Sequence, residues 1–138
     1  MAKLNPYMHF KDNAKEAMEF YKSVFGGELT MSTFREGIHD EGPDADKIMH
    51  AMLIIGPEMT LMGADTPSQM EYKPGASIEM SLSGESSDEE KLTEYWNKLL
   101  DGGSVRMPLD KAPWGDSFGM LTDKYGIEWM VNIAGKKE

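Results

Sequence analysis

The feature that most constrains this chain is a pattern that occurs twice. Phe20-Tyr21 stands shortly before Gly26-Gly27, and Tyr95-Trp96 stands shortly before Gly102-Gly103, with one residue inserted in the second copy. Each aromatic pair belongs to an amphipathic helix. Ala14, Ala17, Met18, Tyr21, Val24 and Phe25 recur at three- to four-residue spacing, as do Leu92, Tyr95, Trp96, Leu99 and Leu100. Asn13 with Glu16, and Ser87 with Glu90, predict a capping box at each start. The paired glycines predict each stop, because glycine accepts the left-handed conformation a C-terminal cap needs.

Strands flank both helices. Pro6–Phe10 precedes the first; Leu29–Arg35, Ile48–Ile55 and Met59–Met62 follow it, the last two joined at Gly56-Pro57. Ile78–Leu82 precedes the second; Val105–Leu109, Phe118–Leu121 and Ile127–Ile133 follow it. Gly37–Lys47, with Pro43 and its acids, reads as a solvated loop. Gly63–Gly75 carries no helix, and Ser68–Pro74 reads as a linker. The order strand, helix, three strands therefore repeats at a period too long for a solenoid, which points to a duplicated sheet-forming module. Sequential strands imply mostly antiparallel pairing, with both helices on one side of the sheet. The expected class is α+β, a single domain over 1–138 with modules at about 1–67 and 75–138.

Alternation separates the two faces of a strand. Ile127, Trp129, Val131 and Ile133 form a wholly apolar face suited to carry the helix, whereas Glu128, Met130 and Asn132 form a mixed one. Ile78, Met80 and Leu82 stand against Ser77, Glu79 and Ser81 in the same way. A polar face on the helix-free side is either a solvated surface or the wall of a pocket.

Composition narrows the partners. Forty per cent of the residues are hydrophobic, enough for a core, and no apolar run approaches the roughly 20 residues of a membrane span. Met1–Tyr7 lacks the apolar stretch of a signal peptide. The net charge is −10, from 24 acids against 14 Lys+Arg, and the lysines are scattered apart from Lys136-Lys137. Neither nucleic acid nor an anionic membrane suits such a surface. The absence of cysteine rules out disulfides and thiolate chemistry and agrees with a cytoplasmic protein.

Several further strings stand in a telling order: Pro6-Tyr7-Met8-His9-Phe10, Asn13-Ala14-Lys15-Glu16-Ala17, Phe25-Gly26-Gly27 and Leu61-Met62-Gly63-Ala64-Asp65. Pro113-Trp114-Gly115-Asp116 and Asp123-Lys124-Tyr125-Gly126 follow, the last leading into Trp129-Met130-Val131-Asn132. Together they resemble the vicinal oxygen chelate superfamily, which includes glyoxalase I, extradiol dioxygenases and bleomycin-resistance proteins. Within it they resemble the PhnB-like family, also described as a demethylubiquinone-methyltransferase-like domain. The resemblance implies two βαβββ modules forming a curved, mostly antiparallel sheet around a cup, with the helices on the outer face. It also implies a small-molecule ligand and a homodimer. A nucleotide-like cofactor usually needs a glycine-rich turn at a helix N-terminus; here the glycine pairs follow the helices, so no such cofactor is expected.

Metal-dependent relatives hold one divalent ion on His and Glu side chains from the first and last strands of each module. Carried over without gaps through Phe20-Tyr21, those positions fall on Pro6 and near Met62, Ser77 and Met130. A shift by one residue offers Asn5 or Tyr7, Leu61 or Gly63, Ala76 or Ile78, and Trp129 or Val131. Neither set supplies imidazole or carboxylate donors, so the carry-over implies no metal and no cofactor.

The pocket lining is expected from Met8, Met62, Trp114, Met130 and Asn132, with His9, His50, Glu79 and Glu128 as further candidates. Each has a plainer structural role. His39 reads as solvent-exposed and His50 as a core histidine. His9 falls on the face away from the ligand positions unless a bulge turns it. Glu79 and Glu128 read as solvated, or as an acid–base or Mg²⁺-recruiting pair. Trp114 offers a stacking face or a plug over the core, and the 13 methionines are core filler or adaptable lining. Two functions compete: a metal-free small-molecule-binding protein, and a divalent-metal lyase or dioxygenase that uses His9, His50 and Glu128.

Overall fold

Burial of one helical stripe against one sheet builds each half of the chain. The computed structural model describes residues 3–75 and 77–135; Ala76 and the Lys136-Lys137 pair lie outside them. Two compact units are present, Met1–Pro74 and Gly75–Glu138. In the first, β1 (Tyr7–Phe10) leads into α1 (Ala14–Phe25), then β2 (Glu28–Thr33), α2 (Phe34–Ile38), β3 (Ile48–Gly56) and β4 (Met59–Asp65). All six apolar residues of the α1 stripe are buried, each large one contributing roughly 1.5–3 kcal/mol. The strand order is β1-β4-β3-β2. β1 and β4 run parallel because α1 carries the chain back across the sheet, and the other two pairings are antiparallel.

The second unit repeats this plan. β5 (Met80–Gly84) passes through a 3-10 turn, Ser86–Asp88, into α3 (Glu89–Leu99), followed by β6 (Ser104–Lys111), β7 (Ser117–Thr122) and β8 (Glu128–Ile133). The order β5-β8-β7-β6 is the same, with β5 parallel to β8. Trp129, Val131 and Ile133 are buried, and α3 packs on β5 and β8. The paired glycines do more than end helices. A side chain at Gly27 would strike the Ile54 carbonyl, and one at Gly103 the Thr122 carbonyl. Each glycine thus lets the strand after the helix close onto its neighbour, at matching places in the two units.

Several expectations give way to longer-range contacts. Asn13 makes no side-chain cap bond, so the predicted box with Glu16 does not form. The buried Asp65 holds that end instead, its two oxygens accepting from the backbone N–H groups of Ala14 and Ile48, both at 2.9 Å. Ser87 lies inside the 3-10 turn, and the reciprocal box is made by Glu85 and Asp88. Arg35 leaves the predicted strand for α2, because Thr33 and Glu36 form a capping box there. The region read as a solvated loop buries Asp44 and Ala45. Asp44 is drawn in by Ser68, whose N–H and hydroxyl donate to it, and by the Lys47 ammonium at 2.9 Å. β4 continues past Met62 to Asp65, and Ile78 precedes its strand, 87 % exposed rather than under the helix.

Candidate functional site

The face of each sheet opposite its helix carries the groups able to meet a ligand. On the first sheet, strand alternation places Met8 and Phe10 beneath α1, buried, and Tyr7 and His9 on the open face. The carried-over register therefore misplaces β1 by one residue. Met8 is core rather than lining, and His9 needs no bulge, since β1 pairs with β4 without interruption. Sequence alternation alone, Tyr7 and His9 against Met8 and Phe10, held this signal. Tyr7 pairs with Met62 across the strands, and Met62 with Met52, so Met62 is half-buried on the open face.

His50 is a partner of Tyr7 rather than a core residue. Its Nδ1 lies 3.2 Å from the Tyr7 hydroxyl, and the rings of Tyr7 and His50 are 5.8 Å apart. His9, two residues along β1 on the same face, has its ring 5.4 Å from that of Tyr7. Partial burial pushes the Tyr7 phenol above its ordinary 10.0, so it is a neutral hydroxyl near pH 7. At 3.2 Å the shared hydrogen bond is long for a phenol. A ligand group can take either end of it: Tyr7 presents an acceptor while it donates to His50, and a donor when the imidazole holds the proton.

Beside this pair lies a cavity of about 400 Å³ lined by Tyr7, His9, Phe34, Met49, Thr66 and Met70, among others. Three devices shape it. A bulge opposite Ser32 and Thr33 leaves Met49 without a ladder partner, which turns it from the regular alternation. Gly37 of α2 packs against the Met49 thioether, where a side chain would clash. β4 then supplies Ala64, and the residue just past its end, Thr66, adds to the lining. Phe34, Met49 and Thr66 were not anticipated, because both the bulge and α2 depend on pairing partners distant in sequence.

The second sheet is occupied differently. Arg106 is the extra residue of a bulge in β6. Its guanidinium makes ion pairs with Glu79 and, at 3.2 Å, with Glu128, and donates to the Leu121 and Trp129 carbonyls at 3.2 and 3.3 Å. Glu79 and Glu128 are thus neither solvated nor a free acid–base pair. Met130 pairs with Met120, and Met120 with Met107, in a thioether row across the three strands. Asn132 donates to Asp116 at 3.3 Å. Trp114 stands at the β6–β7 turn, 66 % exposed, its ring 6.2 Å from Phe118. His39 is exposed at the C-terminal cap of α2.

A divalent ion of the kind used by metal-dependent relatives needs converging imidazole and carboxylate donors. Among the described residues no three His, Asp or Glu side chains gather in that way. Asp65, which shares the cavity with His9, has both oxygens engaged by main-chain N–H groups, and Glu128 is held by Arg106. The residues present do not fit the ion.

Comparison with known proteins agrees with this architecture. A family model described as 3-demethylubiquinone-9 3-methyltransferase matches residues 2–132. Protein PA1353 from Pseudomonas aeruginosa is 35% identical, over 99% of this chain and 100% of that one, with a TM-score of 0.86. The PhnB protein from Bacillus cereus is 27% identical, over 96% and 100%, with a TM-score of 0.76. A glyoxalase/bleomycin resistance protein/dioxygenase domain from Frankia sp. EAN1pec shares the fold at 13% identity over 100% and 95% of the two chains, with a TM-score of 0.64. The chain belongs to the PhnB-like family described as 3-demethylubiquinone-9 3-methyltransferase, on the glyoxalase/bleomycin resistance/dioxygenase fold.

Proposed function

We propose that this protein binds a small organic molecule in the cavity of its first unit, through neutral hydrogen-bonding groups rather than a bound divalent ion. The observation that carries this reading is the Tyr7–His50 pair at an apolar cavity of about 400 Å³, a size and lining typical of ligand sites. Met62, paired with Tyr7 on the open face, offers further contact area beside it. Met130, Asn132 and Trp114 offer apolar and polar contact area on the second unit, where Arg106 holds Glu79 and Glu128 and Asn132 donates to Asp116. The methyltransferase name describes the family. The turn into α1 is Lys11–Asn13, without the glycines that cradle a nucleotide-like cofactor.

A metabolite and antibiotic library screened by thermal shift tests the reading. Hits that raise the melting temperature of the wild type and lose most of that rise in Tyr7→Phe support it. A library without hits, or hits indifferent to Tyr7→Phe, overturns it. The contact of both His9 and His50 with the Tyr7 ring keeps one rival in view, a metal-dependent lyase or dioxygenase. Stoichiometric Zn, Ni, Fe or Mn in protein purified without added metal establishes that rival. Family membership further supports a cytoplasmic homodimer, and light scattering at twice the chain mass is the expected result.

A further inference from the structure

The hydrogen bond between Tyr7 and His50 can run in either direction, and the proton count of the imidazole decides which. The Tyr7 hydroxyl and the His50 Nδ1 lie 3.2 Å apart on the exposed side of the first sheet. Tyr7 is itself 42 % exposed and lines the cavity. A neutral imidazole has one nitrogen that donates and one that accepts, whereas an imidazolium donates from both. A phenol donates more strongly than it accepts, so toward neutral His50 it gives its O–H to Nδ1 and turns its lone pairs outward. Burial holds the Tyr7 phenol above its ordinary 10.0, so that proton stays in place. A charged imidazole reverses the bond. Nδ1–H then donates to the Tyr7 oxygen, and the phenol O–H turns to another acceptor.

The groups around His50 leave this exchange to Tyr7. β1 contributes the titratable side chains of that face, Tyr7 and His9. β2 sets Ser32 opposite His50, with Glu28 at its far end opposite Ile54. β4 presents Met62 and Ala64. α2 touches β3, but its Arg35 is paired with Asp46 and its Glu36 is engaged by Thr33. Glu71 and Lys73, on the segment after β4, pair with one another at 3.6 Å. We infer that His50 is a specificity-determining residue, whose protonation state sets whether Tyr7 offers the ligand an acceptor or a donor. With neutral His50 the site takes a ligand N–H or O–H; with charged His50 it takes a ligand carbonyl or ether oxygen. This rests on the cavity reading above and adds the polarity of its ligand. By linkage, a ligand that only accepts binds more tightly as pH falls, and one that only donates binds more tightly as pH rises.

Two flat, neutral probes of similar size make the test: indole, which only donates, and indanone, which only accepts. Their dissociation constants are measured on the full chain by ligand-observed NMR from about pH 5 to 8.5, beside the imidazole nitrogen shifts of His9 and His50. Indole is expected to tighten and indanone to weaken as pH rises, each about fivefold, with a midpoint at the His50 titration. In the ligand-free wild type, Nδ1 of His50 should be the unprotonated nitrogen at the alkaline end. His50→Gln and Tyr7→Phe should each abolish the pH dependence, and His9→Gln should keep it. An Nδ1 that carries the proton of the neutral ring would overturn the inference, and that measurement decides even where a variant fails to fold. Probes that do not bind, that bind alike at every pH, or that follow His9 instead would overturn it too. Library hits that remain sensitive to Tyr7→Phe would in that case leave the cavity reading standing, whereas their absence would remove both.

Discussion

The two units share one plan and put opposite chemistry on their open faces. Each sheet contains a bulge that releases one residue from the ladder: Met49 in the first, Arg106 in the second. Met49 forms a soft wall beside Tyr7, His9 and a cavity. Arg106 instead reaches across its sheet and pairs with both Glu79 and Glu128. The helix starts differ in the same sense. α1 is held by Asp65, fifty-one residues away, whereas α3 follows a turn closed by Glu85 and Asp88 three residues apart. Duplication preserved the packing face. The open face and the helix N-terminus, which the packing face does not constrain, diverged.

The largest effect that sharpens this contrast is expected at Asp65. Asp65→Ala leaves the buried N–H groups of Ala14 and Ile48 without acceptors, and urea unfolding should show a loss of about 3 kcal/mol. Next comes Arg106→Met, which leaves two half-buried carboxylates facing one another, with an expected loss of about 2 kcal/mol. Adding Glu79→Gln and Glu128→Gln should restore most of it. If the triple variant is no better than the single one, Arg106 acts by packing rather than charge. Asp88→Ala removes only a local, exposed bond and should cost about 1 kcal/mol. A cost equal to that of Asp65→Ala would erase the distinction between the helix starts.

How far the sequence foretold these features follows the range of the interactions behind them. The stripe of α1 from Ala14 to Phe25 and the apolar face of β8 from Trp129 to Ile133 were legible because helix and strand periodicity are local. The capping of α1 was not. Asn13 looks like a cap in isolation, and only the fold brings Asp65 to the same N–H groups. The candidate site divides likewise. His9 and His50 were visible as residues of interest, but their meeting around Tyr7 depends on β1 lying beside β4 and β4 beside β3. Met49 and Arg106 reach their places through bulges, which leave no period in the sequence.

A smaller effect concerns pH and belongs to the first unit. Asp44 is held below its ordinary 3.8 by hydrogen bonds from the Lys47 ammonium and from Ser68. Lys47 is raised above 10.5 by its hydrogen bonds to Asp12 and Asp44. A depressed carboxyl stabilises the fold above its unfolded value and loses that contribution as pH falls through its folded one. A raised ammonium contributes below its unfolded value and loses it as pH climbs through its folded one. The cluster therefore gives a plateau between roughly pH 4 and 10. In Asp44→Asn the midpoint of urea unfolding should fall less steeply below pH 4 than in the wild type; an unchanged slope would place the acid sensitivity elsewhere.

The three histidines provide the most direct test of where the ligand sits, because His9 and His50 both touch the Tyr7 ring while His39 lies exposed at the C-terminal cap of α2. NMR of the imidazole and indole nitrogens and the methionine methyl groups, recorded while a thermal-shift hit is added, reads all of these positions together. The account predicts that His9, His50 and Met49 shift on binding and His39 does not. Movement of the Trp114 indole and the Met130 methyl with His9 and His50 unmoved would contradict it.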